Sequence, residues 1–248
     1  MSKTKRFDNI LITAGTKGIG YAVAETFVKE CKHLWLTYGS DHEHAKEAKK
    51  RLSSLAPDTS IHIIACDVTA PRSAQALLEE MSSHDFVPDL IVMNAGVTNR
   101  KSPFEISDEE WLSVFQGNVH FPTQLIKGVV PSMKSGSAII FTGSMMAIHP
   151  HSVSLSYGVT KSAVHGLVTN LVKHLEPFGI RVAGIAPGFV DTEWQKTKPT
   201  DVRKSIEGKV ASHRFASPEE VGQVFKMVAE NEYFNGDIIS LSGGYSYK

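Results

Sequence analysis

Seven short runs rich in Ile, Val and Leu alternate along this chain with longer stretches whose apolar residues return at helical spacing. The short runs, 8–13, 33–37, 61–65, 89–93, 137–142, 181–185 and 237–241, show little in–out alternation. That is the pattern of strands covered on both faces. The spacing predicts helices near 19–30, 41–55, 71–83, 108–130, 154–176 and 218–230. Several have readable starts: Asp41 or Ser40 can cap the second, and Pro71 stands near the third. Ser107 with Glu110, and Ser217-Pro218 with Glu220, have the form of capping boxes. Pro177 and Gly179 stop the fifth helix before the next strand. This alternation predicts one doubly wound α/β domain over residues 1–248: a Rossmann-type, seven-stranded parallel sheet with helices on both faces. The one long connection between late elements, about 190–217, holds Trp194, Lys196, Lys198 and Pro199. A segment of that kind beyond the strand ends is expected to cover a substrate.

Between the first strand and the first helix lies a glycine-rich turn, with Gly15, Gly18 and Gly20 set among Thr16, Lys17 and Ile19. Strand, tight turn and helix set backbone N–H groups and a positive helix end against a pyrophosphate. A side chain at the last glycines would block either the phosphates or the helix–strand contact. About 20 residues on, a site for an unphosphorylated ribose normally carries Asp or Glu. Here Tyr38 stands in that place, Ser40 follows as a further donor, and Lys17 supplies a positive charge from the turn. That combination favours NADP over NAD, unless Lys17 is only a solvated turn residue. At the end of the third strand, Asp67 beside Val68 could accept from an adenine amine or cap the next helix. Asn94, Ala95 and Gly96 end the fourth strand with small residues that allow close passage of a ribose, or form a plain turn.

The candidate chemistry lies further on. Ser144 follows the fifth strand, and Tyr157 and Lys161 stand four apart on one helix, so their ends can reach a common ligand. A free phenol titrates near 10 and is a poor acid–base group at neutral pH. A neighbouring ammonium and a cationic nicotinamide are expected to favour the phenolate and bring it toward working pH. Ser144 could bind the carbonyl oxygen that Tyr157 protonates. Tyr-x-x-x-Lys pairs also arise on solvated helix faces, so the case rests on their position behind a dinucleotide turn.

Composition narrows the alternatives. Lys plus Arg equals Asp plus Glu at 26 each, so no basic field invites nucleic acid. No segment approaches about 18 consecutive apolar residues, so no membrane span is expected. Residues 1–6 are basic without an apolar run behind them, the mark of a frayed terminus and not of a signal peptide. Cys31 and Cys66 form no C-x-x-C pair and read as buried thiols in a reducing, cytoplasmic setting. Among eleven histidines, His42, His44, His149 and His151 have no partner at a zinc-like spacing, so no metal is expected.

Taken together, these motifs resemble the short-chain dehydrogenase/reductase family in its single-domain form, from residue 8 to about 244. The family's Thr-Gly-x-x-x-Gly-x-Gly falls on residues 13–20, with Ala14 at its first glycine, which implies a slightly shifted turn with binding retained. Its Asn-Asn-Ala-Gly appears as Met93-Asn94-Ala95-Gly96. The resemblance implies a catalytic tetrad of Asn118, Ser144, Tyr157 and Lys161, with the serine and tyrosine 13 apart as in the family. Asn118 would hold a water that relays protons from Lys161. Pro187-Gly188 follows the sixth strand, with Val190 and Thr192 as implied nicotinamide contacts; Ala183 stands where the family has asparagine. The closest likeness is to 3-oxoacyl-[acyl-carrier-protein] reductases. It implies NADP(H)-dependent reduction of a carbonyl, a 3-oxoacyl thioester first, with a small cyclic ketone, steroid or sugar as the alternative. A catalytically inactive nucleotide-binding protein is the non-enzyme reading. A carrier-protein partner would need basic side chains at the cleft mouth, for which Lys134 and Lys173 are the candidates. The family also implies a homo-oligomer, dimer or tetramer, built through the helices near 108–130 and 154–176.

Overall fold

The computed structural model describes residues 7–245 except Pro150 and Ser152. The basic run 1–6, read above as a frayed terminus, lies outside the described residues. Seven strands form one parallel sheet: β1 (Asn9–Ile12), β2 (His33–Tyr38), β3 (Ser60–Ala65), β4 (Leu90–Met93), β5 (Ala138–Thr142), β6 (Arg181–Pro187) and β7 (Ile238–Leu241). Their order is 3-2-1-4-5-6-7. Ile10 lies opposite both Leu34 and Leu90, so β1 and β4 are neighbours at the sheet's centre. There the winding reverses, which opens a crevice beyond the carboxyl ends of those two strands.

Alternate strand residues feed two cores. Ile10, Ile12, Leu34, Leu36 and Ile140 pack with Val23, Phe27 and Phe225 on one face. Leu11, Trp35, Ile91, Ile139 and Phe141 pack with Leu77, Phe121 and Val164 on the other. Helices α1 (Gly18–Phe27), α2 (His42–Leu55) and α9 (Pro218–Glu230) supply the first layer, α3 (Ser73–Ser83), α5 (Phe121–Val129) and α6 (Leu155–Leu175) the second. Phe121, Phe141 and Phe225 are fully buried, and truncating any of them to Ala would cost about 3–5 kcal/mol.

The start signals operate as expected at Asp41, which accepts from the His44 N–H, and at both capping boxes. Pro177 and Gly179 close α6 through a short 3₁₀ turn, with Gly179 left-handed at φ 64°. Three boundaries differ. The third helix starts at Ser73 behind a left-handed Arg72, two residues past Pro71. The connection 190–217 holds two helices, α7 (Glu193–Lys196) and α8 (Thr200–Gly208). The predicted helix 108–130 is broken: α4 (Asp108–Phe115) passes through a π turn, Gln116–His120, before α5 begins. Pro122 has no N–H for the Asn118 carbonyl four residues back, so an α-helical ladder cannot run unbroken through this turn. The loop after β4 also presses on it, since a Cβ at Gly117 would lie 2.9 Å from Val97 Cγ2.

Cys31 and Cys66 are both buried and form no disulfide. Among the described residues, no helix is long and apolar enough to cross a membrane.

Candidate active site

The crevice is stitched from three strand ends. Thr13, just after β1, accepts through Oγ1 from the N–H groups of Asn94 and Ala95, each at 2.9 Å. Asn94 Nδ2 donates back to the carbonyls of Thr13 and Ala14, at 3.2 and 3.1 Å. Its Oδ1 accepts from Thr142 Oγ1 at 3.1 Å. Thus Asn94, read above as a contact or a plain turn, holds the glycine turn, the end of β4 and the end of β5 together. The lost family asparagine at Met93 leaves an apolar residue, 4% exposed, in the core beneath.

The glycine turn is tied to β2 by Ala14 N–H to Thr37 Oγ1 (3.0 Å) and Gly15 N–H to the Thr37 carbonyl (2.9 Å). Gly20 is obligatory, because a Cβ there would lie 2.1 Å from the Ala14 carbonyl oxygen. Ala14 itself sits left-handed at φ 51°, a conformation suited to the glycine it replaces. Thr16 is buried and Ile19 packs on the core, so those two side chains support the turn from below. Thr192 faces Gly18 across the crevice.

At the ribose end the expectation needs correcting. Lys17 Nζ is paired with Asp41 Oδ2 at 3.1 Å, both side chains being well exposed. A carboxylate therefore does stand at this end of the site, contributed by the α2 cap three residues beyond Tyr38. Hydrogen bonds from Lys17 and from the His44 N–H hold Asp41 down to about 2. Tyr38 Oη lies 2.9 Å from His42 Nδ1, and Ser40 is exposed beside it. Asp67 does not cap α3; its Oδ1 accepts from the N–H and hydroxyl of Thr69 and shapes the loop, with Val68 buried. Gly188 donates to the Leu241 carbonyl at 2.8 Å, and Pro187 ends β6. Val190 is buried and bridged to Ala216, so its side chain is packing.

Ser144, Tyr157 and Lys161 do converge. Ser154 caps α6 by accepting from the Tyr157 N–H at 3.2 Å and so fixes the first turn that carries the phenol. Lys161 is buried, with Nζ donating to the Thr142 carbonyl at 2.7 Å and lying 5.6 Å from the centre of the Tyr157 ring. Lys161 Nζ passes close to Gly96, where a Cβ would stand 3.4 Å from it. Burial pushes Lys161 down to about 8. Burial also pushes the Tyr157 phenol up to about 12, opposed by its hydrogen bond with Ser144. In the chain alone, then, the phenol holds its proton more firmly than a free tyrosine; the lowering expected above calls on a bound cationic nicotinamide as well as the ammonium. With the ammonium committed to the Thr142 carbonyl, burial dominates.

Asn118 is also present but differently engaged. Its side chain accepts from the Val97 N–H at 2.8 Å and donates to the Val97 carbonyl and Thr160 Oγ1, both at 2.9 Å. The amide is a structural clamp. A small cavity of about 10 Å³ lies among Asn118, Thr142 and Lys161, enough for about one water.

One residue beyond the sequence reading, His165, completes the site, and Trp194 joins it from the connection read above as a substrate cover. His165, one helical turn past Lys161, accepts the Ser144 N–H at Nε2 (3.3 Å). Its i, i+4 relation to Lys161 was the signal that could have found it. Trp194 on α7 sets its ring edge-on to Tyr157, 6.2 Å between centroids. The connection carrying it is braced by Arg203, which donates to Asp191 Oδ1 at 3.0 Å and lies 4.3 Å over the Phe215 ring. Phe189, Tyr245 and His149 form a further aromatic chain at the same end of the sheet.

The proposed carrier contacts are elsewhere. Lys134 precedes β5, at the end of the sheet opposite the crevice, and is paired with buried Asp89 at 2.9 Å. Lys173 lies twelve residues beyond Lys161 on α6, about 18 Å down the helix axis. Within one chain neither lysine reaches the cleft mouth. Among the described residues one group of side chains is spaced for a metal ion, His62, Glu80 and His84, and it lies outside this crevice.

A family profile described as Enoyl-(Acyl carrier protein) reductase matches residues 13–246. The chain is 28% identical to a 3alpha-hydroxysteroid dehydrogenase of Mediterraneibacter gnavus, covering 94% of each. It is 27% identical to the 3-oxoacyl-[acyl-carrier-protein] reductase FabG of Chlamydia muridarum, over 94% of this chain and 95% of that protein. The structure of L-sorbose reductase from Gluconobacter frateurii, complexed with NADPH and L-sorbose, superposes with a TM-score of 0.87 at 28% identity, over 97% of both chains. The parallel 3-2-1-4-5-6-7 sheet and the profile match over nearly the whole length agree: this chain is an oxidoreductase belonging to the short-chain dehydrogenase/reductase family.

Proposed function

We propose that this chain is an NADPH-dependent reductase of an apolar ketone. The observation that carries the reading is the convergence of Ser144, the Tyr157 phenol and Lys161 at the mouth of the crevice between β1 and β4. The crevice fits a dinucleotide: Gly20 leaves no room for a side chain, and the amino end of α1 opens onto it. Gly15 to Gly20 would hold the pyrophosphate; Asn94 to Gly96 and Lys161 the nicotinamide ribose; Asp67 and Val68 the adenine; Pro187, Gly188, Thr192 and the backbone of Val190 the nicotinamide side; and Lys17, Tyr38 and Ser40 the 2′-phosphate end. When bound, NADPH supplies the hydride.

The chain's own residues manage the oxygen. Ser144 Oγ accepts from the Met146 N–H at 3.1 Å, and its O–H, turned to the phenol in the chain alone, would donate to the substrate oxygen as negative charge develops there. Tyr157 delivers its proton to the same oxygen, and Lys161 next to its ring favours the phenolate left behind. A water in the cavity by Asn118 and Lys161 would return the proton.

The aromatic walls, Trp194 against Tyr157 and the Phe189–Tyr245–His149 chain, favour a ring ketone or acyl chain over a sugar. The loss of Lys134 and Lys173 from the cleft leaves the carrier-linked reading without its basic patch, so a free steroid-like or acyl ketone is the better substrate class. The segment 190–217 covers it. Exposed Leu112 on α4, with Leu155 and Val159 on α6, supports self-association through these helices. The test is a panel of steroid ketones, 3-oxoacyl thioesters and sugar ketones assayed with NADPH and NADH. Turnover highest on an apolar ketone with NADPH is expected; turnover on none, with cofactor bound, would leave the inactive nucleotide-binding reading.

A further inference from the structure

We propose that His62, Glu80 and His84 form a binding site for a zinc-class divalent cation, which fastens the C-terminal turn of α3 to the edge strand β3. Glu80 and His84 are four apart on α3 and its cap, so they share a face. Sheet pairing brings His62 of β3 against that face. One ligand atom from each of the three lies within 4.8 Å of the others. His62 Nε2 stands 3.4 Å from Glu80 Oε1, and His84 Nδ1 stands 3.7 Å from the same oxygen. Two ligands each about 2.1 Å from a tetrahedral ion are themselves about 3.4 Å apart, so these separations need only a small closure.

The ligands are held in place before any ion arrives. Trp35, opposite His62 in the sheet register, is sandwiched between the His62 ring (centroids 4.2 Å, 18° apart) and Phe86 (4.3 Å, 7°). His84 Nδ1 lies 3.0 Å from both the Glu80 carbonyl and Ser83 Oγ, and it must lose its proton and exchange the carbonyl contact for the ion when it ligates. All three side chains remain between 32% and 46% exposed, so an ion can enter and a water can take the fourth position. Two imidazoles and one carboxylate suit zinc and its neighbours, and not magnesium, which takes oxygen ligands in near-octahedral geometry. Nothing in hydride transfer uses this trio, and its position on the outer edge of the sheet separates it from the crevice.

The test uses the full chain, free of affinity tag and stripped with a chelator. Titration calorimetry with Zn²⁺ should show one ion per chain at micromolar affinity or tighter. Saturating Zn²⁺ should raise the thermal midpoint by several degrees, as any ligand specific to the folded state does, and Mg²⁺ should do neither. Glu80→Gln, His84→Ala and His62→Phe should each weaken Zn²⁺ binding at least about ten-fold; the last keeps a ring on Trp35. Glu80→Gln is isosteric and exposed, so it tests ligation apart from folding. No binding at about 0.1 mM Zn²⁺, or binding undiminished in any one of the three variants, would overturn the site.

Discussion

The backbone N–H of Ser144 donates to Nε2 of His165 at 3.3 Å, so the serine facing the phenol hangs from an imidazole one turn beyond Lys161. An accepting Nε2 places the ring proton on Nδ1 and requires the neutral form. Burial, and then the positive charge of Lys161, push His165 down to about 4. Between that value and the unfolded pKa near 6.5, the unfolded chain binds the proton and the folded chain does not. Stability should therefore fall as pH drops through that window, by on the order of 1–2 kcal/mol once solvent screening of the half-buried ring is allowed for, and level off below it. In His165→Leu this part of the slope should vanish, and the orphaned Ser144 N–H should lower stability at neutral pH by about 1–3 kcal/mol. Urea unfolding from about pH 4 to 7, beside a kcat measurement expected to fall on the order of ten-fold, checks both. An unchanged slope would remove His165 from the account.

Tyr157→Phe keeps the ring against Trp194 and removes the proton. Its kcat should fall at least about 100-fold, with NADPH affinity near wild type. Lys161→Ala should lose turnover and cofactor affinity together. Because burial raises the phenol to about 12, reduction, which needs the protonated form, should not gain from rising pH. Oxidation of the product alcohol needs the phenolate and should speed up from about pH 6 to 10. Steady-state assays in both directions decide this, and more than a tenth of wild-type kcat in a folded Tyr157→Phe would refute the assignment.

The Lys17–Asp41 pair is where the proposed cofactor choice can be tested. An exposed ion pair is readily exchanged, so Lys17 can leave Asp41 for a 2′-phosphate. Lys17→Ala should weaken NADPH about ten-fold and scarcely touch NADH. Asp41→Asn should tighten NADPH a few-fold by freeing the lysine and removing a negative charge. Fluorescence titration of both cofactors is the measurement; equal affinities in the wild type would defeat the NADPH reading.

Ala14 offers a stability test. A left-handed L-residue costs about 1–2 kcal/mol, while glycine loses about 0.4–1 kcal/mol through the unfolded chain. Ala14→Gly should thus leave stability unchanged or raise it, lifting Tm by up to a few degrees. A fall on thermal unfolding would mean that the methyl group packs usefully in the turn.

The five inner strands were legible because each is buried on both faces, which writes an unbroken apolar run into the sequence; the edge strands β3 and β7 are only partly buried yet keep enough Ile and Leu to be read. Tyr157 and Lys161 were legible through their spacing along one helix, and Ser144 through its place just beyond β5. What escaped notice depends on groups far apart in the chain. Asp41 is a helix cap whose second role appears only when β1 and β2 lie side by side. The break at Gln116–His120 is invisible in a pattern that keeps helical spacing through it, although Pro122 marks the place. Lys134 and Lys173 were misassigned because charge was counted without asking which end of the sheet each residue occupies. His62 meets Glu80 and His84 only through the placement of β3 beside α3, a relation no linear spacing records.

The π turn has a bearing on how this chain tolerates insertions and deletions. A wide turn carries about one residue more than regular α geometry needs, so α4 and α5 are out of phase by the angle of one residue, about 100°. Removing a single residue between 116 and 120 would take up that extra length, although Pro122 would still leave one carbonyl unbonded, and would rotate all of α4 relative to α5. The Trp111–Phe115 pair would then swing away from its present side, and Leu112, now 61% exposed, would be carried round the helix. The Asn118 amide, clamped to Val97 and Thr160, would have to release one of them. A shortened turn here would be globally misphased, so in this segment length is constrained more tightly than composition.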